Sequence, residues 1–130
     1  MFTDVITTFY ELIPTNSTIS GVKVIPSDYK GVATAPFMRL GFVFAPTKLI
    51  GTNGSKELRG LLKISIFAKS GQGDKYFATT VDALDAIFEK KQLANYIQTY
   101  TSSLQLLGTD PKDSTLSRAD YTVPFSYYGE

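Results

Sequence analysis

The chain of 130 residues contains no cysteine and no histidine. Without cysteine it has no disulfide framework and no thiol nucleophile, which fits a reducing compartment. Without histidine it lacks the commonest general base of enzymes. Because zinc sites are built mainly from cysteine and histidine, the two absences together also remove the usual zinc ligands. The composition therefore argues against thiol chemistry, histidine catalysis and zinc binding.

Long apolar runs are also absent. No stretch approaches the roughly 20 apolar residues that a membrane-spanning helix needs. The first residues, Met1 to Asp4, lack the basic and apolar regions of a secretory signal, so we expect none. The length and the hydrophobic fraction of 43% are typical of a single folded domain over residues 1–130. Eight Tyr, nine Phe, ten Gly and six Pro favour many strands and turns.

The clearest local pattern is a strand, a turn and a helix between Leu58 and Lys91. The strand alternates with a period of two, with Leu62, Ile64 and Ile66 on one face and Lys63, Ser65 and Phe67 on the other. Ser70 to Gly73 is the turn, and Asp74 is expected to cap the helix because its carboxylate accepts hydrogen bonds from free amides. One helix face then carries the residues expected to be buried, namely Phe77, Thr80, Val81, Leu84, Ile87 and Phe88.

The remaining segments complete the fold prediction. They are a helix at Thr3–Ile13 ended by Pro14, short and long strands at Val22–Ile25 and Phe37–Ala45, a loop at Pro46–Glu57, an extended segment at Tyr96–Gly108, a turn at Asp110–Asp113 and a last strand at Ser117–Tyr128. Pro124 cannot donate to a sheet ladder, so the last strand is expected to be an edge or to carry a bulge there. The pattern predicts an α+β domain, a mainly antiparallel or mixed β-sheet with two helices packed on one face.

The loop at Pro46–Glu57 joins two neighbouring strands, which predicts an antiparallel hairpin with an overlong tip. Loops of this length are commonly functional. Leu49 and Ile50 are apolar residues at this tip, where exposure to water is disfavoured. They predict either a contact with another chain or folding of the tip back onto its own domain.

Positive charge is concentrated in one segment, although the net charge is only +1. Residues 37–70 contain a single acidic residue and six basic ones, namely Arg39, Lys48, Lys56, Arg59, Lys63 and Lys69. One interpretation is a surface that faces DNA or an acidic partner. The other, simpler from the sequence, is the solvated face and tip of a hairpin.

Patterns that carry catalysis are weak in this chain. Asp82 and Asp85 lie three residues apart on the second helix, and a carboxylate pair can serve acid–base or metal chemistry. Both face away from the apolar stripe, however, which predicts a solvated helix face. No nucleophile, base and oxyanion site can be assembled from the sequence. We therefore expect no enzyme activity, no cofactor and no metal site.

Tyr121, Tyr127 and Tyr128 give the last strand an aromatic character. Aromatic side chains on a sheet can stack the bases of a single-stranded nucleic acid. No Arg or Lys lies between these tyrosines in the sequence, so packing within the sheet or a protein interface explains them better.

The segments, in their order along the chain, resemble the tail terminator proteins of long-tailed bacteriophages, the lambda-like type and its relatives. Those that carry the resemblance are the N-terminal helix with Phe9, Leu12 and Ile13, the strand Phe37–Leu40, the run Arg59–Phe67, the turn Ser70–Gly73, the amphipathic helix that ends in Phe88, and the closing Tyr121–Tyr127. The resemblance covers nearly the whole chain. The long Pro46–Glu57 loop and the tyrosine-rich last strand depart from the family pattern.

The resemblance implies a structural virion protein at the head–tail junction, assembled in the host cytoplasm. Members of the family form a homohexameric ring that ends the tail tube, stops addition of the major tail tube protein and binds a head-completion or connector protein, while DNA passes through the lumen. On this basis the subunit contacts are expected at Leu49, Ile50, Tyr121, Val123, Phe125 and Tyr127. Likewise, the residues expected to face the lumen or an adjoining ring are Lys48, Lys56 and Arg59.

Three other functions stay open from the sequence. The nearest is a head–tail connector, neck or other minor tail protein of similar size. The second is a small nucleic-acid-binding module that uses the basic segment 37–70, which predicts steeply salt-dependent DNA binding. The third is a small acid–base hydrolase that uses Asp82 and Asp85.

Overall fold

A computed structural model of the chain describes residues 2–15, 19, 22–26, 36–45, 48–49, 56–69, 71, 73–93, 97–109 and 115–129. These residues form two α-helices and eight strands. In chain order they are α1 (Phe2–Leu12), β1 (Lys23–Pro26), β2 (Phe37–Phe44), β3 (Lys48–Leu49), β4 (Lys56–Lys69), α2 (Gly73–Phe88), β5 (Gln92–Leu93), β6 (Ile97–Thr99), β7 (Ser103–Thr109) and β8 (Leu116–Gly129). A short 3₁₀ turn, Ile13–Thr15, follows α1. The α+β prediction is confirmed.

One mixed sheet contains all eight strands, in the order β1-β2-β4-β8-β6-β5. β3 pairs with β4, and β7 pairs with β8. Every pairing is antiparallel except the parallel pairing of β1 with β2. β4 and β8, each 14 residues long, pair over their whole length from Lys56 opposite Gly129 to Lys69 opposite Leu116. This long central pair positions everything else in the sheet.

Both helices pack on the same face of the sheet. The ring of Phe9 in α1 lies 5.8 Å from that of Phe42 in β2, 5.1 Å from Phe125 in β8 and 5.5 Å from Phe88 in α2. The core between the helices and the sheet is mainly apolar, with the buried threonines Thr8, Thr80 and Thr99. Its largest members are Tyr121, Phe9, Phe88, Phe125, Met38, Leu40, Leu58, Leu62 and Ile64. In the described part of the chain no helix is long and apolar enough to cross a membrane.

The predicted alternation in β4 is confirmed, because Leu62, Ile64 and Ile66 are buried under the helices. The apolar face predicted for α2 is also buried, apart from the half-buried Ile87. The helix ends at Phe88, and Lys90 adopts a left-handed conformation with φ of 51°. This is a common way for a helix to stop. The side chain of Asp74 and the turn at 110–113 lie outside the described residues.

The hairpin predicted between β2 and β4 is confirmed, and part of the segment predicted as its loop, residues 46–57, forms strand structure. Lys48 pairs with Glu57, and Leu49 pairs with Lys56. These two pairs continue the antiparallel pairing with β4 beyond Phe44, the last residue of β2. Residues 46–47 and 50–55 of the predicted loop lie outside the described residues.

The last strand, β8, is not an edge strand as Pro124 had suggested. It lies between β4 on one side and β6 and β7 on the other. Pro124 occupies the junction between β6 and β7, where its carbonyl accepts a hydrogen bond from the amide of Tyr100 at 3.0 Å. In a strand, the nitrogen and carbonyl of one residue point to the same side, so the missing N–H faces this break. The carbonyl of Tyr100 accepts from Lys90 instead, at 3.2 Å.

The central position of β8 also corrects the expected subunit contacts on this strand. Tyr121, Val123, Phe125 and Tyr127 all point into the core below the helices and are buried. Their alternation was identified correctly, but the face they form packs against α1 and α2 rather than against another chain. They are not part of any surface of the folded subunit.

Gly60 allows the ring of Phe125 in β8 to pack directly against β4. A Cβ atom at this position would lie 2.5 Å from the carbonyl oxygen of Val43 and 2.9 Å from Cζ of Phe125. Real Cβ atoms do not approach other atoms so closely. The absence of a side chain at Gly60 therefore lets the ring of Phe125 lie on the backbone of β4.

We predict that Gly60→Ala lowers the free energy of unfolding by about 1–3 kcal/mol, as expected for overpacking of a dense core. Chemical denaturation of the purified protein measures this change. The exposed Gln92→Ala substitution in β5 is a control and should change stability by no more than about 0.5 kcal/mol. Equal stability of Gly60→Ala and the unmodified protein would contradict the packing described here.

Candidate functional site

The face of the sheet that carries neither helix, here called the helix-free face, holds most of the polar side chains of the long strands. The register aligns them in rows across the strands. One row contains Arg39, Ser65 and Asp120, and the next contains Lys63 and Thr122. Neighbouring residues in such rows lie close enough to interact. Residues from β2, β4 and β8 thus form one continuous polar surface.

Phe67 lies at the centre of the cationic part of this face. Its ring stacks on that of Phe37, with centroids 4.7 Å apart and planes 14° from parallel. The guanidinium carbons of Arg39 and Arg118 lie 5.8 Å and 5.6 Å from the centre of the Phe67 ring. Attraction between cation and ring favours both positions. Two positive charges are thereby brought to one place.

The two arginines differ in their partners. Arg118 donates from Nε to Asp120 Oδ1 at 3.1 Å and from Nη2 to Ser65 Oγ at 3.3 Å. Ser65 Oγ in turn donates to the same carboxylate oxygen at 3.1 Å. Arg39 Nε is buried and has no acceptor among the residues that the structure describes. The Arg39 guanidinium is therefore positioned by Phe67 and forms no ion pair within the described residues.

A cleft of about 410 Å³ opens beside this cluster. Its lining is mostly polar and consists of Lys63, Ser65, Ser103, Leu104, Gln105, Arg118, Asp120 and Thr122. The Lys63 side chain is exposed and forms no ion pair within the described ranges. A cleft with an unpaired ammonium group, a guanidinium and several hydroxyl and amide groups is suited to an anionic ligand.

A second cleft of about 340 Å³ lies further along the same face and is lined by Arg59, Gly60, Tyr100, Pro124, Phe125 and Ser126. Arg59 forms an ion pair with the buried Glu57. The hydrogen bond and the negative charge of Glu57 raise the pKa of Arg59. The hydroxyl of Tyr100 lies 3.0 Å from Ser126 Oγ. The structure thus places the exposed Arg59 near the exposed Tyr100. Their separation in the sequence gave no indication of this proximity.

The outer strand β7 is a separate feature. It pairs with β8 on one side and has no neighbouring strand on its other side among the described residues. Its three leucines are unusually exposed, Leu104 by 38%, Leu106 by 45% and Leu107 by 40%. The strand is regular up to Leu106, after which a bulge shifts the register before Gly108. β7 is therefore an apolar sheet edge.

Asp85, which sequence reasoning placed on a solvated helix face, is instead tied to the sheet. Its Oδ1 accepts hydrogen bonds from the hydroxyl of Tyr121 at 2.6 Å and from Ser102 Oγ at 2.7 Å. Burial, and then the bond and negative charge of Asp85, raise the pKa of Tyr121. Asp82 is exposed. Asp85 therefore joins α2 to β8 and to the segment before β7.

No group of three or more acidic, histidine or cysteine side chains in the described ranges is arranged to hold a metal ion. Of the other residues expected to mark a site, Ile50 lies outside the described residues. For Lys48, Leu49 and Lys56 the structure describes the strand pairing but not the side chains. Arg59 lies on the helix-free face and is exposed.

Sequence reasoning missed Arg118, Asp120 and Ser65 as members of one cluster. Their alternation with Ala119 and Tyr121 indicates the right face for the two β8 residues. Nothing in the local sequence, however, indicates that Ser65 pairs opposite Asp120, or that Arg39 pairs opposite Ser65 on the other side.

We predict that Ser102→Ala lowers the melting temperature at neutral pH and that the loss shrinks in acid. The Ser102 amide donates to Glu89 Oε2 at 3.0 Å, and the single hydroxyl proton of Ser102 is shared between Glu89 Oε2 and Asp85 Oδ1, each 2.7 Å from Oγ. The bonds to Ser102 lower the pKa of Glu89. A group with a lowered folded pKa stabilises the protein above its ordinary pKa, and this contribution is lost as the pH falls through the folded pKa. Melting curves at neutral and acidic pH test this, with the exposed Thr101→Ala as control. A difference independent of pH would contradict it.

Comparison with known proteins gives no family for this chain. No protein-family model matches it, and no curated protein sequence matches it.

Proposed function

We propose that this chain is a structural subunit of a bacteriophage tail. Copies of it assemble into a ring that ends the tail tube and joins the tube to the head-completion or connector proteins, with DNA passing through the lumen. The observation that carries the proposal is the apolar outer strand β7. The resemblance of the segments Phe37–Leu40, Arg59–Phe67 and Tyr121–Tyr127 to tail terminator proteins supports the specific assignment.

β7 supports self-assembly because it lacks the charged residues and proline that prevent edge strands from pairing with other chains. Natural edge strands usually carry charged residues or proline, which prevent pairing with other chains. The opposite edge strand, β1, has both, in Lys23 and Pro26. β7 reads Ser-Leu-Gln-Leu-Leu-Gly-Thr and carries no charge and no proline. Three exposed leucines on an edge strand without charge or proline would favour aggregation of a monomer. Contact with a neighbouring subunit explains their presence.

A ring follows from this edge if the contact is heterologous. When a surface on one subunit meets a different surface on the next, the contact repeats until the assembly closes. The proposed subunit contact is centred on Leu104, Leu106 and Leu107, and replaces the contact expected on β8. A neck or connector ring of similar size is the nearest alternative. Binding to the end of a tail tube separates the two.

We predict that the unmodified protein forms a discrete oligomer, with six times the chain mass of 14.3 kDa, and that Leu104→Lys with Leu106→Lys converts it to a monomer. A buried charge without a partner is costly at an interface, whereas each leucine is already solvent-exposed in the separate subunit. Light scattering over a range of protein concentrations measures the mass.

The matched control is Ala86→Lys, which adds the same charge at an exposed position of α2 and should leave the oligomer intact. Circular dichroism verifies that each variant is folded. A strict monomer at every concentration, or a β7 variant that still assembles, would contradict the proposal. If the oligomer forms, electron microscopy of tail tubes polymerised with and without it tests whether it ends them.

A further inference from the structure

We infer that the helix-free face is a binding surface for single-stranded nucleic acid. The phosphates are held by Arg39, Lys63 and Arg118, and bases stack on the exposed rings of Tyr100 and Tyr128 near Arg59. The inference stands on the contacts of this face and does not require that the chain form a ring.

Positive charge is in excess on the helix-free face. The described side chains of this face include the basic Arg39, Arg59, Lys63 and Arg118 and the acidic Glu57 and Asp120. Each of these acids is already engaged, Glu57 with Arg59 and Asp120 with Arg118. Within the described residues, the charges of Lys63 and Arg39 are therefore not balanced by an acid. A polyanion complements such a surface electrostatically.

Arg39 gives the most specific indication of a missing acceptor. Its Nε is buried without a hydrogen-bond partner in the described part of the chain, and a buried donor in this state is costly. The guanidinium carbons of Arg39 and Arg118 both lie near the Phe67 ring, 5.8 Å and 5.6 Å from its centre. A phosphate beside the Phe67 ring would meet the Arg118 donors that Asp120 and Ser65 do not use, and the positive charge of Arg39 would add to its attraction.

The length of the cationic surface points to a polymer rather than a small anion. Arg59 lies eight residues along the same face of β4 from Phe67, which the guanidinium groups of Arg39 and Arg118 approach. At about 3.3 Å per residue this is roughly 26 Å. Lys63 lies between Arg59 and Phe67, and Arg39 and Arg118 flank the strand. A single small anion would contact only one of these positions.

Two exposed aromatic rings favour a single-stranded nucleic acid over an acidic protein. The side chain of Tyr100 is 42% exposed and that of Tyr128 is 41% exposed. Tyr100 lines the cleft of Arg59, and Tyr128 lies opposite Glu57, the ion-pair partner of Arg59. Aromatic rings beside a cationic groove are the usual platform for unpaired bases. Bases in a duplex are stacked on one another and cannot use these rings.

The test is fluorescence anisotropy with a labelled oligothymidylate of roughly 16 nucleotides, at salt concentrations between about 50 and 200 mM. We expect binding that weakens steeply with salt. Lys63→Gln and Arg39→Gln should each lower the slope of the logarithmic salt plot by about 1. Tyr128→Ala should weaken binding about tenfold, whereas Tyr128→Phe keeps the ring and the affinity.

Lys75→Gln is the matched control, because Lys75 is an exposed lysine on α2, which packs on the other face of the sheet. It should bind like the unmodified protein. The same measurement at protein concentrations where light scattering shows only the monomer separates this inference from ring assembly. Absence of binding at low salt, equal affinity for a duplex of the same length, equal competition by polyglutamate, or an equal loss in Lys75→Gln would overturn the inference.

Discussion

The pairing of β4 with β8 is the constraint on which the rest of this structure depends. β2 and β3 attach to β4, and β6 and β7 attach to β8, so most of the sheet is joined through these two strands. The whole of α2 and three further strands separate them along the chain. Closing so long a loop costs conformational entropy. The burial of Leu62, Ile64, Val123 and Phe125 offsets that cost.

The register of this pair decides which residues are structural and which face outward. Side chains alternate along a strand, so a slip by one residue would turn the arginines inward and the core residues outward. Gly60 opposite Phe125 and Leu62 opposite Val123 place apolar groups under the helices. The same register assembles Arg39, Ser65 and Asp120 in one row on the other face. The pairing register of β4 and β8 therefore determines both which residues form the core and which form the candidate site.

The two proposed surfaces are compatible because they use different parts of the sheet. Leu104 and Leu106 pair opposite Tyr121 and Ala119 and therefore lie on the side of the helices, at the outer strand. The cations occupy the opposite face. Thr99 joins β6 to the end of α2, because its buried hydroxyl donates to the carbonyl of Phe88 and accepts from the amide of Lys91 at 2.7 Å. The end of α2 is thus fixed where β6 passes toward β7.

The sequence by itself determined the local structure. The period of two in residues 62–67 and the helical spacing from Phe77 to Phe88 are direct results of backbone geometry, and both elements formed as predicted. Tertiary structure alone decided the partners of each strand, since pairing joins residues far apart in the chain. It made β8 central, buried Tyr121 and Tyr127, bound Asp85 to the sheet and left β7 as the apolar edge. Local patterns show which face a side chain takes, but only the folded sheet shows what lies opposite it.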